Sequence, residues 1–194
     1  MARLGRINAD EAVVRVLPKN DELAGNIVRT PKYPHRQAVL DARRHGLYLS
    51  LAHTLFPENF PKPIASRLRG SKPPALISHF ADTSLDYQKA VKEFYAADSR
   101  DSYEHSPAVK AHYAKVYREA ARKSPLSQRI FKAGITVQDH PVNIGFKSDG
   151  VTPVFFEVAE IDSDAVLEHL DREGVTGIKR RQVEGILARL EQYH

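Results

Sequence analysis

The sequence contains no cysteine. That excludes disulfides, thiolate metal sites and a cysteine nucleophile, and it fits a cytoplasmic protein. No apolar run approaches the roughly 20 residues that span a bilayer. The N-terminal segment MARLGRINADEAVV is basic but has no continuous apolar stretch. Neither a secretory signal nor a membrane partner is therefore expected. The nine histidines show neither H-x-x-x-H nor H-E-x-x-H spacing, which argues against a zinc site. Ser84, Ser102 and Ser106 lack the G-x-S-x-G context of a serine hydrolase. There is no internal repeat and no low-complexity segment.

What is present is an ordinary globular balance. The 194 residues are 42% hydrophobic and 27% charged, enough for one well-cored domain or two small lobes sharing a cleft. The net charge of +5 favours anionic partners such as nucleotides or nucleic acid. The basic residues are scattered, however, over Arg43-Arg44, Arg67, Arg69 and Lys179-Arg180-Arg181. No block of five appears, and no aromatic residues are interleaved with them. Nucleic acid is thus the weaker expectation.

Taken in order, residues 4–30 read as extended, with β-prone runs at 12–17 and 26–30 around a turn at 18–21. From His35 to Phe56 the apolar spacing becomes helical, with Gly46 a possible weak point and Pro57 ending the helix. Extended pieces follow at 63–68 and 75–80. Ser84 is placed to cap a helix to about Ala97, and a second helix spans 108–123. The tyrosines from Tyr87 to Tyr117 read as apolar sides of these helices. A third helix starts near Pro125 and stops at Gly134, a C-cap glycine by position. Two terminal helices are expected, the first capped by Ser163 or Asp164 and the second over 179–192.

The stretch 134–162, GITVQDHPVNIGFKSDGVTPVFFEVAEID, stands apart. Polar residues Asp139, His140 and Asn143 lie beyond one apolar run. A turn signal, Ser148-Asp149-Gly150, precedes a second run, Val154–Val158, which Glu157 interrupts. A buried-looking strand seldom carries an acid without a partner or a cation. The plain alternatives are a turn acid for Asp139, a turn residue for Asn143 and an ion pair within a sheet for Glu157. His53 reads as a partly buried core histidine.

The order of elements and these residues together resemble the protein-kinase-like fold, in particular its small atypical and aminoglycoside-phosphotransferase-like branch. In that fold a helix ends at a glycine and a strand leads to a catalytic Asp. An Asn follows within H-x-D-x-H-P-x-N, and a hairpin delivers a metal-binding Asp. Here Gly134-Ile135 precedes Asp139-His140-Pro141-Val142-Asn143, and Glu157 lies fourteen positions after Asn143. The resemblance implies an α+β protein of two lobes. Residues 1–82 would form a β-rich lobe with one helix, and 83–194 a helical lobe containing the hairpin. It implies ATP and magnesium as cofactors, with Asp139 as catalytic base and Asn143 and Glu157 as metal ligands. Arg29 or Lys32 would meet the phosphates, and Asp41 would stand on the helix that carries their acidic partner. The substrate would be a protein or small-molecule hydroxyl.

The sequence departs from the pattern in several places. There is no G-x-G-x-x-G loop, since Gly5 stands alone. The expected Lys is Arg29, or Lys32 beyond Pro31, and Asp41 replaces a Glu. Only four positions separate Asp139 from Asn143, one fewer than usual, and no Phe-Gly follows Glu157. These departures favour, as the alternative, a pseudokinase-like binding protein that docks a protein partner. As solvated charges, Arg29 and Lys32 would need no ligand.

Overall fold

The computed structural model describes residues 13–16, 26–30, 35–67, 75–79, 83–96, 106–120, 124–137 and 143–193. Within them the chain is α+β, with six α-helices and three antiparallel sheets. The extended reading of residues 4–12 lies outside the described residues, as do Lys32, Asp139 and His140.

The N-terminal half forms a four-stranded sheet of β1 (Val13–Val16), β2 (Asn26–Thr30), β3 (Pro63–Arg67) and β4 (Ala75–His79). Its order is β1-β2-β4-β3, so β2 pairs antiparallel with both β1 and β4. A register shift between Pro63 and Ala65 sits where proline has no N–H to donate. Helix α1 (His35–Leu55) connects β2 to β3. Leu47, Tyr48, Leu51, Ala52 and Leu55 are buried at helical spacing and explain its docked face. Gly46 does not break the helix, and the Ser50 hydroxyl donates to its carbonyl at 2.7 Å.

Three helices follow: α2 (Leu85–Ala96), α3 (Pro107–Ala120) and α4 (Pro125–Lys132). Ser84 and Ser124 cap the first and third, their hydroxyls accepting from Tyr87 N (3.3 Å) and Ser127 N (3.0 Å). Gly134, with φ 75°, ends α4 and turns the chain into β5 (Ile135–Val137). Only glycine fits there, because a Cβ would stand 2.5 Å from the Asp162 carbonyl oxygen.

Instead of one hairpin, two nested antiparallel pairs follow. β5 pairs with β8 (Val158–Ile161), and β6 (Ile144–Phe146) pairs with β7 (Pro153–Phe155) inside it. The apolar run expected as one strand at 154–158 is therefore two strands. They part at Phe156-Glu157, where the chain leaves one partner strand for another, so Glu157 belongs to neither strand. Its polarity fits this exchange point better than a strand interior.

The terminal helices are α5 (Ser163–Arg172) and α6 (Gly177–Leu190), and a 3-10 turn follows at Glu191–Tyr193. The cap of α5 is Asp162, one residue before Ser163 and two before Asp164, the expected caps. Its backbone is extended and its carboxylate accepts from Ala165 N at 3.1 Å, whereas Ser163 is already helical. Helix α6 begins two residues before the expected start.

One continuous core joins Leu47–Phe60 of α1 and its following loop to Val116, Ile130, Ile135, Ile144, Phe155 and the inner faces of α5 and α6. It thus unites elements from both sides of residue 82. Among the described residues no helix is long and apolar enough to cross a membrane.

Candidate functional site

The inner hairpin carries Asp149 in its turn and Asn143 at its open end. Its turn closes with Lys147 N donating to the Thr152 carbonyl and Gly150 N to the Lys147 carbonyl, both at 2.8 Å. The Asp149 carboxylate accepts from Val151 N (2.8 Å), Thr152 N (2.9 Å) and the Thr152 hydroxyl (2.6 Å). Those hydrogen bonds, led by that of the Thr152 hydroxyl, favour the charged form and lower its pKa to about 2. Asp149 is thereby a turn residue, as Ser148-Asp149-Gly150 indicated.

At the opposite end of the hairpin Asn143 enters β6 and is buried, 7% exposed. Its carbonyl accepts from Phe156 N at 2.8 Å. This single backbone bond sets the residue before Glu157 against Asn143, so the two expected metal ligands stand on adjacent chain segments. The Glu157 side chain is 18% exposed.

Helix α1 contributes a residue the sequence did not single out. His45 Nδ1 lies 4.0 Å from Glu157 Oε1, and its ring stacks on Tyr48 with centroids 6.3 Å apart. Asp41 is on the same helix, four positions earlier, and Arg29 is on β2 opposite Val14 and Leu76. The side chains of Asp41 and Arg29 lie outside the described residues, so the structure leaves their expected roles open.

Asn59, in the loop after α1, ties that helix to the hairpin. Its side-chain Nδ2 donates to the Pro153 carbonyl at 3.0 Å, and its own carbonyl accepts from Phe155 N at 2.8 Å. One residue thus occupies the outer edge of β7 as a strand would. Phe60 packs on Phe155 with centroids 5.4 Å apart, and His53 bonds the Phe60 carbonyl through Nδ1 at 2.8 Å. His53 is thus half-buried and partnered, as the sequence suggested. Glu58 pairs with Lys147 across the same junction, and the hydrogen bond from Lys147 lowers the Glu58 pKa. Nothing in the sequence distinguishes Asn59 from an ordinary loop asparagine, since its partners are 94 residues away.

On the other face of β6, aromatic rings fill the space beside Gly145. A Cβ there would meet the Phe156 ring at 2.8 Å and the Tyr87 ring at 3.1 Å. Tyr87 stacks on Phe156 (5.6 Å, 14°), and His112 packs against Tyr87 (5.2 Å) and Phe146 (6.1 Å). Tyr87 is therefore core, as read, whereas Tyr117 is 64% exposed, so the apolar-side reading of the tyrosines fails there.

Chemically, the paired segments offer an amide oxygen from Asn143 and a carboxylate from Glu157. Hard oxygen donors of this kind suit Mg²⁺, which keeps several waters and needs few protein ligands. The two residues fit such an ion in donor type and in adjacency. No cluster of three or more His, Asp or Glu that could hold a metal occurs among the described residues. Two ligands completed by substrate phosphates do not require one.

No family model matches the chain, and neither a curated protein nor a solved structure matches it.

Proposed function

We propose that the protein is a nucleotide-dependent phosphotransferase of protein-kinase-like architecture, acting on a protein or small-molecule hydroxyl. The observation that carries this reading is the adjacency of Asn143 and Glu157, created by the Phe156 N–Asn143 O bond within a double hairpin. The order of elements adds support. A sheet precedes the site, a helix lies between its second and third strands, and helices flank the hairpin.

In this reading Asn143 and Glu157 hold Mg²⁺ through their side-chain oxygens. The ion, when bound, neutralises charge on the transferring phosphates. Asp139, assigned from the sequence alone, orients the acceptor hydroxyl and takes its proton. The acceptor oxygen bonds to the γ-phosphorus of ATP as the bond to the β–γ bridging oxygen breaks, leaving ADP. Arg29 or Lys32 supplies positive charge to the phosphates, with Asp41 as its acidic counterpart. In a thermal-shift experiment Mg²⁺-ATP raises the melting temperature of the wild type, and Asn143→Ala abolishes most of that rise. A wild-type protein indifferent to Mg²⁺-ATP contradicts the reading.

A second reading, a pseudokinase-like protein that docks a protein partner, is favoured by the absent glycine-rich loop and by Arg29 at the lysine position. ATP turnover that Asp139→Asn abolishes would count against it. The third, a nucleic-acid-associated protein, rests on charge alone and predicts RNA or DNA binding that is strongest at low salt.

A further inference from the structure

We propose that the face where α4, α5 and α6 meet binds a phosphate dianion, held by Arg129, Arg172 and Lys179 around the edge of His169. It uses none of the residues of the phosphotransferase site and does not depend on that reading. Arg129 stands in the last turn of α4, His169 and Arg172 in the last turn of α5, and Lys179 in the first turn of α6. Arg172 Nη2 reaches the Lys132 carbonyl at 3.4 Å and so sets the end of α5 against the end of α4. The three cations are exposed, and among the described residues none of them forms an ion pair. Asp171 and Glu184 are taken up by Arg180, at 2.6 and 2.7 Å.

Cations in the last turn of a helix face its negative end, which accounts for Arg129 and Arg172 without a ligand. Lys179 is at the wrong end for that. It stands at the positive end of α6, in a first turn with no acid, and Thr176 gives that end no side-chain cap bond. Its charge nevertheless acts on His169 together with those of Arg172 and Arg129. His169 is 8% exposed, its ring stacks on Phe56, and it makes no hydrogen bond among the described residues. Neither ring nitrogen is sealed from solvent, so the imidazole opens its polar edge toward these cations.

A dianion supplies what all four groups lack. Its oxygens match the forked donors of the two arginines, offset Lys179 and the open end of α6, and accept an imidazole N–H. Burial first, and then the three cations against Glu173, hold the His169 pKa below 6.5, while Phe56 of α1 brings no charge. A bound dianion reverses that field, so His169 should titrate at higher pH with phosphate than without.

The test is a calorimetric titration of the full chain in EDTA at fixed ionic strength, with inorganic phosphate and separately with phosphoserine. It compares wild type with Arg129→Gln, Lys179→Glu and, as a control, Lys110→Gln, an exposed lysine on α3. The proposal predicts saturable binding by wild type and Lys110→Gln, weakened about tenfold or more in the other two. Lys179→Glu puts an acid in the first turn of α6, so it should melt no lower than wild type while losing the anion. A cation that only stabilised the fold would not give that split. An NMR titration of wild type follows His169 with and without phosphate. Phosphoserine that binds as tightly as inorganic phosphate assigns the site to phosphate esters, and its exclusion assigns it to the free ion; either supports the dianion. Three results overturn the proposal: no saturable binding by wild type, a loss in Lys110→Gln equal to that in Lys179→Glu, or a His169 titration that phosphate leaves unmoved. Equal affinity in all four proteins does so as well.

Discussion

Two buried polar side chains lie where α1 and the loop after it meet the rest of the molecule. Asn59 is 8% exposed and bonds β7 through both its side chain and its backbone. Alanine removes the side-chain donor and leaves the Pro153 carbonyl buried without that bond, which costs about 1–3 kcal/mol. Urea denaturation of Asn59→Ala measures it, and a loss well under 1 kcal/mol would mean that water replaces the amide. His169 is the second. Its burial against Phe56 lowers its pKa below the usual 6.5, and the nearby Arg172, Arg129 and Lys179 add to the effect against an opposing Glu173. The unfolded chain then binds the proton more readily. Stability is full above pH 6.5 and falls as the pH drops from there through the lowered folded value. The melting temperature of wild type should fall more between about pH 7.5 and pH 5.5 than that of His169→Phe. Parallel curves for the two proteins would refute the assignment.

Among the elements, the double hairpin depends on Gly134 at its entrance. A left-handed conformation costs a non-glycine residue about 1–2 kcal/mol. At Gly134 an added Cβ would also press on Asp162 O at 2.5 Å and Val166 N at 2.9 Å. Gly174, with φ 63°, has open space around it. Gly134→Ala should therefore destabilise clearly more than Gly174→Ala, which should stay near the conformational cost alone. Equal losses in urea denaturation would show that the neighbouring backbone yields. The glycine was legible in the sequence because a C-cap leaves a local signature. Helix α1 and the burial of Val183, Ile186, Leu187 and Leu190 were legible from spacing for the same reason. The division of 153–161 into two strands was not. Val154, Phe155, Phe156 and Val158 around Glu157 read as one run, and only the exchange of partners from β6 to β5 breaks them. His45 and Asn59 were missed because their importance lies in contacts more than 90 residues away, which no local pattern encodes.

At the scale of the molecule, α1 joins a single core with the hairpin and the two terminal helices. The chain neighbours of Asn143 and Glu157, Ile144 and Val158, belong to that core, which would preorganise the proposed metal site. Two strands of the four-stranded sheet precede α1 in the chain and two follow it, with Arg29 on β2. The resemblance to kinase-like proteins implied an α+β chain, and the secondary structure is α+β; the two-lobed kinase-like arrangement belongs to the proposal. The function drawn from it depends on whether the oxygen pair holds a metal nucleotide. A calorimetric titration of ATP into wild type and Glu157→Ala, each with Mg²⁺ and with EDTA, tests this most directly. The account predicts saturable binding by wild type that requires Mg²⁺ and is weakened at least about tenfold by Glu157→Ala, a loss of roughly 1.4 kcal/mol or more. Absence of binding by wild type, or binding that neither EDTA nor Glu157→Ala alters, would contradict it.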